Sequence, residues 1–386
     1  MLPPMTNADF SLSHTRPESL KHTPEKLPSY LKGITRVVAD AGVLNTALAR
    51  RVRARLKDTP WTTRSPEQDP VRTGPGETVL YLKQYLGKFL RFCPGTRYYH
   101  CCGYRIIHIG ENCPLACSYC ILQAYFQDRV LKVWANQDDL FNELDAEFSA
   151  NPKRRYRTGT GEFTDSLALE ALTGYSRDLI SFLSNHENVC LELKSKVIDL
   201  SWMDATTRPD RVLPAWSLNA PQVRDLEERG ASSLEERLSA ARACAQAGFR
   251  VCLHFDPILY FPGWEKGYTQ AVDMIFDYLK PSDIAYISLG SFRFMPDLKK
   301  TIEANFPDSK YIYGEFVTGL DGKQRLIRPL RVAQFRLVAD RFKKYGVSEQ
   351  LYFCMESEKV WKAVLGYTPK DLGGLDKHLM RRAFGE

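Results

Sequence analysis

The feature that most restricts the fold is a regular alternation of strand-like and helical stretches after residue 79. Short β-rich runs occur at 104–109, 154–160, 189–195, 212–218, 250–256 and 284–290. Stretches with helical apolar spacing lie between them, most clearly at 167–184, 233–247 and 267–279. Strands that alternate with helices in this way form a parallel sheet. The sequence therefore predicts an α/β protein whose sheet curls into a partial TIM-like (β/α)6 barrel, with its chemistry at the carboxyl ends of the strands.

The two ends of the chain differ from this central region. Prolines recur through residues 1–77, where the stretch 31–57 has helical apolar spacing and ends in the basic cluster Arg50, Arg51, Arg53, Arg55 and Lys57. Such a cluster is either a phosphate-contacting helix or an ordinary solvated face. A further helix at 330–345 and a strand at 351–355 follow the barrel. We predict a Pro-rich basic N-terminal extension (1–77), a barrel (78–330) and a C-terminal helix/strand extension (331–386).

Composition and charge exclude some classes of protein. No run of about 18 apolar residues is present, so the chain is not expected to span or bind a membrane. The first residues lack the order of a secretory signal, and ten irregularly spaced cysteines in 386 residues are typical of reduced thiols, so we expect a cytoplasmic protein. A net charge of +7 permits nucleic-acid binding without requiring it.

The most informative motif is Cys113-Pro-Leu-Ala-Cys117-Ser-Tyr-Cys120, directly after the first barrel strand. Three soft thiolates on one loop suit iron–sulfur or zinc. A zinc site needs a fourth ligand, which Cys101, Cys102 or His108 would have to supply. A [4Fe–4S] cluster held by three cysteines instead leaves one iron open to bind a small molecule.

Polar residues at the ends of later strands are candidate cofactor ligands. After the second strand, glycines followed by Glu162 let backbone approach a ligand while the carboxylate meets an ammonium; the alternative is a turn with Thr164 or Asp165 as a helix N-cap. Lys196 is either a point charge for a carboxylate or a solvated lysine. Ser217 and Asn219 share one face of their strand and offer donors to a ribose or a carboxylate. His254 and Asp256 share a face that points into the barrel or, for His254, into the core.

The C-x3-C-x2-C spacing resembles that of the radical SAM superfamily, in which S-adenosylmethionine (SAM) chelates the open iron of a [4Fe–4S] cluster. The resemblance implies that Cys113, Cys117 and Cys120 bind the cluster. It also implies that Glu162, in an element similar to the superfamily's Gly-Gly-Glu, holds the SAM amino group. The barrel is then of the radical SAM type.

From about residue 80 to about 366 the chain is similar to the spore photoproduct lyase family, whose members reverse a thymine dimer in spore DNA. The similarity lies in the segments 87–93, 194–196, 216–219, 236–241 with 247–249, 257–258 and 263–268. It implies that Lys196, Ser217 and Thr164 contact SAM and that Tyr119, which matches the family's tyrosine between the last two cysteines, is a catalytic residue. Two positions depart from the family. Glu162 stands where the lyases have a hydrogen-donating cysteine, and Ile121 stands where they have a tyrosine that passes the radical onward.

The leading hypothesis is therefore a radical SAM enzyme, lyase-like, that acts on a pyrimidine lesion or base in DNA or other nucleic acid. An electron donor such as flavodoxin or ferredoxin would reduce its cluster. Cys354 or Cys93 would give a hydrogen atom to the radical intermediate, although isolated cysteines are more often inert. The alternatives are a radical SAM enzyme for a small molecule or peptide, and a non-catalytic nucleic-acid-binding protein with a structural metal loop.

Overall fold

The computed structural model describes residues 26–65, 68–74, 76–95, 98–126 and 128–386. Its strands are β1 (Arg36–Asp40), β2 (Trp61–Arg64), β3 (Val79–Lys83), β4 (Leu90–Phe92), β5 (Arg105–Ile107), β6 (Gly110–Glu111), β7 (Leu131–Trp134), β8 (Tyr156–Gly159), β9 (Val189–Ser195), β10 (Val212–Ser217), β11 (Val251–Ile258), β12 (Ile284–Ser291), β13 (Arg293–Phe294), β14 (Phe316–Thr318), β15 (Gln324–Leu326) and β16 (Leu351–Phe353). Its helices are α1 (Ala47–Arg55), α2 (Leu122–Tyr125), α3 (Gln137–Ala150), α4 (Glu170–Thr173), α5 (Tyr175–Leu183), α6 (Pro221–Glu227), α7 (Leu234–Gln246), α8 (Trp264–Tyr278), α9 (Pro296–Asn305), α10 (Arg328–Lys344), α11 (Glu358–Leu365) and α12 (Leu375–Phe384).

The main sheet is the predicted partial barrel. Its strand order is β16-β12-β11-β10-β9-β8-β5-β4, and every neighbouring pair is parallel except β4 with β5. The six predicted strands are β5 and β8 to β12, and both faces of most of them are buried, as expected when helices cover a parallel sheet. The carboxyl ends of these strands meet at one edge, so residues that follow them are brought together.

The helix α7 shows how local sequence fixes an element of this barrel. Ser233 Oγ accepts the N–H of Glu236 at 3.1 Å, and Glu236 Oε2 accepts the N–H of Ser233 at 2.7 Å. Gly248 follows the helix with φ +89°. The predicted capping box and glycine stop are both confirmed.

The prediction of one helix over 31–57 is wrong. Residues 36–40 form β1, and only the later part of the stretch forms α1. The apolar run Val37-Val38-Ala39 is buried in a second sheet of order β2-β1-β3-β7-β6. Because β1 pairs with β3 across the predicted boundary at residue 77, residues 36–64 share a sheet with residues after that boundary. The part of the predicted extension at 1–25 lies outside the described residues.

The C-terminal residues complete the barrel rather than stand apart from it. The strand β16 pairs in parallel with β12, at the edge of the sheet remote from β4. The hairpin β14–β15 pairs with β13 in a small antiparallel sheet. Across the described ranges, no helix is both long and apolar enough to cross a membrane.

Candidate active site

A cavity of about 280 Å³ lies at the carboxyl ends of the barrel strands. Five cationic side chains and four carboxylates line it, namely Arg157, Lys194, Lys196, Arg293 and Lys323 with Glu162, Asp165, Glu192 and Asp256. All three cysteines of the predicted cluster loop, Cys113, Cys117 and Cys120, line the same cavity. A buried space rich in charge of both signs suits a zwitterionic or phosphate-bearing ligand.

The loop that carries these cysteines has an unusual backbone path. Asn112 and Ala116 have φ of 68° and 50°, which few residues other than glycine adopt. The Asn112 amide offsets this strain by donating hydrogen bonds to the carbonyls of Asp128 (3.0 Å) and Val130 (2.9 Å). These hydrogen bonds hold the start of the loop in this backbone path.

The segment after α6 holds the loop from outside. Gly230 N–H donates to the Leu115 carbonyl at 2.9 Å, and a Cβ at Gly230 would lie 2.8 Å from Leu115 Cα, so only glycine fits here. Ser118 N–H donates to the Glu227 carbonyl at 2.9 Å. Its hydroxyl donates to Glu227 Oε2 at 2.5 Å. These bonds make residues 227–230 a brace for the loop.

The neighbouring acid, Glu228, is the centre of a buried charge network. It is fully buried, and its carboxylate accepts a hydrogen bond from Arg237 Nη2 at 2.5 Å and another from the Tyr119 hydroxyl. Lys196 Nζ lies 3.5 Å from Glu228 Oε1. Burial alone would raise the pKa of Glu228, but Lys196 and Arg237 together with Tyr119 lower it to about 2. Glu228 therefore stays ionised and holds Lys196 at the cavity wall.

The three thiols are soft ligands on one loop at the cavity, a donor set that suits an iron–sulfur cluster. Burial raises the pKa of all three thiols, and metal binding here would release their protons because the thiolate is the metal ligand. In the part of the chain that the structure describes, no three His, Cys, Asp or Glu side chains converge on one metal position, as tetrahedral zinc requires. A [4Fe–4S] cluster needs no such convergence because each cysteine binds a different iron.

Four of the five predicted cofactor contacts lie at the same cavity as the cysteines. Glu162, Thr164, Lys196 and Ser217 all line it, and the Ser217 carbonyl accepts a hydrogen bond of 2.7 Å from Arg237. Asn219 does not join them, because Asn219 Nδ2 donates to the Pro257 carbonyl and Oδ1 accepts from the Tyr268 hydroxyl at 2.6 Å. Because both polar groups of its side chain form hydrogen bonds within the protein, we omit Asn219 from the proposed cofactor contacts.

Asp165 organises the wall beside Thr164. Its Oδ1 accepts the backbone N–H groups of Leu167 and Ala168 at 2.9 Å, the capping role that the sequence left open. It also accepts the Ser195 hydroxyl at 2.7 Å, and its Oδ2 accepts the Lys196 N–H at 2.8 Å. We call the surface formed by Cys113, Cys117, Cys120, Tyr119 and Lys196 the cluster wall.

A second part of the cavity surface, formed by Cys93, Cys102, Cys354, Glu162 and Lys194, is called here the thiol wall. Glu162 Oε2 lies 3.7 Å from Lys194 Nζ. Burial raises the pKa of Cys93 to about 12, and the Glu162 charge adds to this effect. Glu162 therefore lies near a cysteine that is not in the cluster loop.

The predicted pair His254 and Asp256 lines the cavity, as their shared strand face indicated. His254 Nε2 lies 3.3 Å from Glu192 Oε1, and Glu192 also accepts a hydrogen bond from the Tyr286 hydroxyl. Asp256 forms a two-bond ion pair with Arg293, at 2.9 and 3.0 Å. Arg293 Nη2 also lies 3.5 Å from Cys354 Sγ. Cys354 thus has a cation beside its sulfur.

Other residues that the sequence singled out are placed elsewhere. His108 packs against the rings of Tyr85, Trp134 and Phe163, where burial lowers its pKa to about 3. On α1, Arg51 pairs with Asp178, whereas the Arg53 guanidinium lies 4.5 Å from the Trp61 ring centroid. At least these two arginines of the basic cluster at 50–57 therefore interact with other side chains of the protein.

Comparison with known proteins decides the family. The spore photoproduct lyase family model matches residues 100–319, more than half of the chain. The chain belongs to the spore photoproduct lyase family. The resemblance inferred from the sequence is confirmed.

Relatives and solved structures agree with this assignment. Spore photoproduct lyase of Geobacillus sp. (strain Y412MC61) is 25% identical over 207 residues, covering 53% of this chain and 61% of that protein. A tyrosine-to-phenylalanine variant of spore photoproduct lyase has a similar structure, with a TM-score of 0.72 at 20% identity, covering 84% of this chain and 99% of that one. A doubly substituted spore photoproduct lyase solved with AdoMet and a dinucleoside spore photoproduct gives a TM-score of 0.70 at 19% identity, covering 84% and 99%. These likenesses confirm the α/β partial-barrel fold.

Sequence reasoning missed Glu228, Arg237 and the brace at residues 227–230. Their signal in the sequence is faint: two adjacent acids, Glu227 and Glu228, end a short polar helix. Nothing local indicates that one of them is fully buried. Cys102 was considered only as a zinc ligand, and the structure instead places it on the cavity surface.

Proposed function

We propose that this protein is a radical SAM enzyme that binds a [4Fe–4S] cluster through Cys113, Cys117 and Cys120 and acts on a pyrimidine lesion in DNA. The observation that supports it most strongly is the convergence of these thiols with Lys196, Thr164 and Ser217 on one cavity in a spore photoproduct lyase family member. A related lyase has been solved with AdoMet and a dinucleoside spore photoproduct together. Bound cluster and SAM supply a 5′-deoxyadenosyl radical for hydrogen abstraction.

In this proposal, the chain's own residues bind SAM and orient it. Lys196, fixed by Glu228, offers its ammonium to the SAM carboxylate, while Thr164 and Ser217 offer hydroxyl donors. Tyr119 was predicted to be catalytic; because its hydroxyl is bonded to Glu228, we assign it a positioning role for Lys196. Glu162 is the proposed partner of the SAM ammonium, and Lys194 holds its carboxylate in place.

Cys354 is the proposed hydrogen-atom donor to the product radical. It lines the cavity, and burial raises the pKa of its thiol, which keeps the transferable S–H hydrogen in place at neutral pH. Glu162 and Ile121 cannot take this role, because neither a carboxylate nor an alkyl group gives up a hydrogen atom as a thiol does. The cations Arg293 and Lys323 near Cys354 suit the phosphate of a nucleic-acid strand.

The test uses anaerobically reconstituted protein, dithionite, SAM and a dinucleoside spore photoproduct, with products followed by mass spectrometry. We expect repaired dinucleoside, with or without accumulation of 5′-deoxyadenosine, and the electron in the cell coming from a flavodoxin- or ferredoxin-type donor. SAM cleavage with an unchanged photoproduct would reject the substrate and favour a small-molecule or peptide substrate. A colourless, iron-free protein that still binds DNA would favour the non-catalytic alternative.

A further inference from the structure

One buried hydroxyl group at the cavity belongs to Tyr104, which lies just before β5. Tyr104 lines the cavity and is only 6% exposed. Among the residues that the structure describes, none forms a hydrogen bond with this hydroxyl. Most buried polar side chains in proteins have a partner, and an unsatisfied one destabilises the folded state. The Tyr104 hydroxyl is therefore a candidate ligand contact outside the proposed cofactor set.

Gly159 makes the space that this hydroxyl occupies. A Cβ at Gly159 would lie 1.8 Å from the Tyr104 hydroxyl oxygen and 2.7 Å from the Glu192 carbonyl oxygen. Gly159 is the last residue of β8 and pairs with Glu192 of β9. Gly161, beyond the end of β8, has Lys194 as its neighbour instead. The Tyr104 hydroxyl thus lies within the barrel, below the level at which Lys194 reaches the cavity.

Contacts from two sides hold Tyr104 in this position. The backbone N–H of Cys93 donates to the Tyr104 carbonyl at 3.1 Å. The Arg157 guanidinium lies 5.1 Å from the centroid of the Tyr104 ring, and Arg157 Nη2 donates to the Cys102 carbonyl at 2.8 Å. A side chain that is already held in place loses little conformational entropy when a ligand binds to it.

The charged groups near this hydroxyl are paired with each other. Glu192 accepts a hydrogen bond from the Tyr286 hydroxyl, and its carboxylate lies 3.6 Å from Arg157 Nη1 and 3.3 Å from His254 Nε2. This part of the cavity therefore offers a neutral hydroxyl donor rather than an unpaired charge. A neutral donor suits a carbonyl oxygen better than it suits a phosphate.

We propose that the Tyr104 hydroxyl donates a hydrogen bond to a ring carbonyl oxygen of the substrate pyrimidine, which makes Tyr104 a specificity-determining residue. The inference rests on the proposed function and adds a substrate contact to it. A thymine-derived ring carries carbonyl oxygens that accept hydrogen bonds. Arg293 and Lys323 suit the phosphate of the same strand, so the ring and the backbone of the nucleotide contact different parts of the cavity.

The first test removes only the hydroxyl from each of two buried tyrosines. In Tyr104→Phe the lost group has no protein partner, so the thermal midpoint of the holoprotein without SAM or substrate should stay equal or rise. In the control Tyr175→Phe the lost hydroxyl donates to the Trp134 carbonyl at 3.2 Å, so the midpoint should fall by about 2 °C. An equal fall in Tyr104→Phe would show that the protein itself binds this hydroxyl and would overturn the proposal.

The second test measures by calorimetry how a dinucleoside spore photoproduct binds to anaerobic, SAM-bound holoprotein whose cluster is left oxidised, so that no turnover occurs. Tyr104→Phe should weaken photoproduct binding by about fivefold to tenfold and keep SAM affinity within about twofold of the wild type. Tyr175→Phe, which does not line the cavity, should bind both as the wild type does.

The outcomes separate this contact from the proposed function. If the wild type binds the photoproduct and Tyr104→Phe binds it equally well, the Tyr104 contact is wrong and the proposed substrate stands. If Tyr104→Phe loses SAM affinity instead, the hydroxyl contacts the cofactor and the proposal is overturned. A wild type that does not bind the photoproduct rejects both the proposed substrate and this contact.

Discussion

The two walls of the cavity differ in how closely they follow the spore photoproduct lyase family. On the cluster wall, the three cysteines, Lys196 and the family's tyrosine position are all present, and Glu228 with the brace at 227–230 fixes them from behind. On the thiol wall, the sequence resemblance assigns the family's cysteine position to Glu162, and Cys354 reaches the cavity from the end of β16. The comparison predicts that a substitution on one wall changes its own proposed role, cofactor binding or hydrogen return, and leaves the role of the other wall intact.

The largest effect is expected on the cluster wall. Cys117→Ala should remove one iron ligand and lower SAM cleavage by about a thousandfold or more. Iron and sulfide content per chain should fall with it. Cys244→Ala, in the buried face of α7 and away from the cavity, is the matched control and should keep both. Equal iron in the two variants would mean that the cluster wall does not hold a cluster.

The next effect concerns the network behind that wall. Glu228→Gln should leave Arg237 buried without its anionic partner and cost about 3 kcal/mol of unfolding free energy. Chemical denaturation at pH 7 measures it, and Glu236→Gln, at the exposed start of α7, should cost about 1 kcal/mol or less. A loss at Glu228 no larger than at Glu236 would show that the cluster wall does not depend on this network.

The same carboxylate predicts a pH dependence. Its pKa in the folded protein is about 2, below the usual value for glutamate, so its stabilising effect is complete above about pH 4.5 and is lost as the pH falls toward 2. The difference in unfolding free energy between wild type and Glu228→Gln should therefore shrink over this interval. A difference that stays constant down to pH 2 would contradict an ionised, paired Glu228.

A smaller effect is expected on the thiol wall. Cys354→Ser should leave SAM cleavage intact and reduce correctly repaired product by about tenfold or more, because the product radical loses its donor. In D2O the wild type should place deuterium in the product, since thiol hydrogens exchange with solvent. Cys252→Ser, a buried cysteine of β11 that does not line the cavity, is the control.

The smallest effect is a rescue that sharpens the comparison. Adding Glu162→Cys to Cys354→Ser returns a thiol to the position that the sequence resemblance assigns to the family's cysteine. Because this change also removes the proposed partner of the SAM ammonium, SAM is supplied at saturating concentration, and repaired product should then recover in part. The yield of repaired dinucleoside measures this recovery. No recovery, with SAM cleavage intact, would mean that Glu162 does not occupy the lyases' donor position.

The barrel strands were predictable because each is a short apolar run bounded by turn residues, and the capping box at Ser233 is a local signal. The predicted helix over 31–57 was wrong because the apolar run Val37-Val38-Ala39 is compatible with both helical and strand periodicity. Only its pairing with β3 decides for a strand. Cys113, Cys117 and Cys120 were predictable because one short loop holds them. The burial of Glu228 and the position of Cys354 at the cavity depend on contacts between distant segments, which no local pattern contains.

The most direct test of the central claim is the electron paramagnetic resonance spectrum of the dithionite-reduced protein before and after SAM is added. If three cysteines leave one iron open on the cluster wall, a reduced [4Fe–4S] signal should appear and change when SAM binds, and both should be lost in Cys117→Ala. A reduced cluster whose spectrum does not change when SAM is added, or a protein without any cluster signal, would contradict the account.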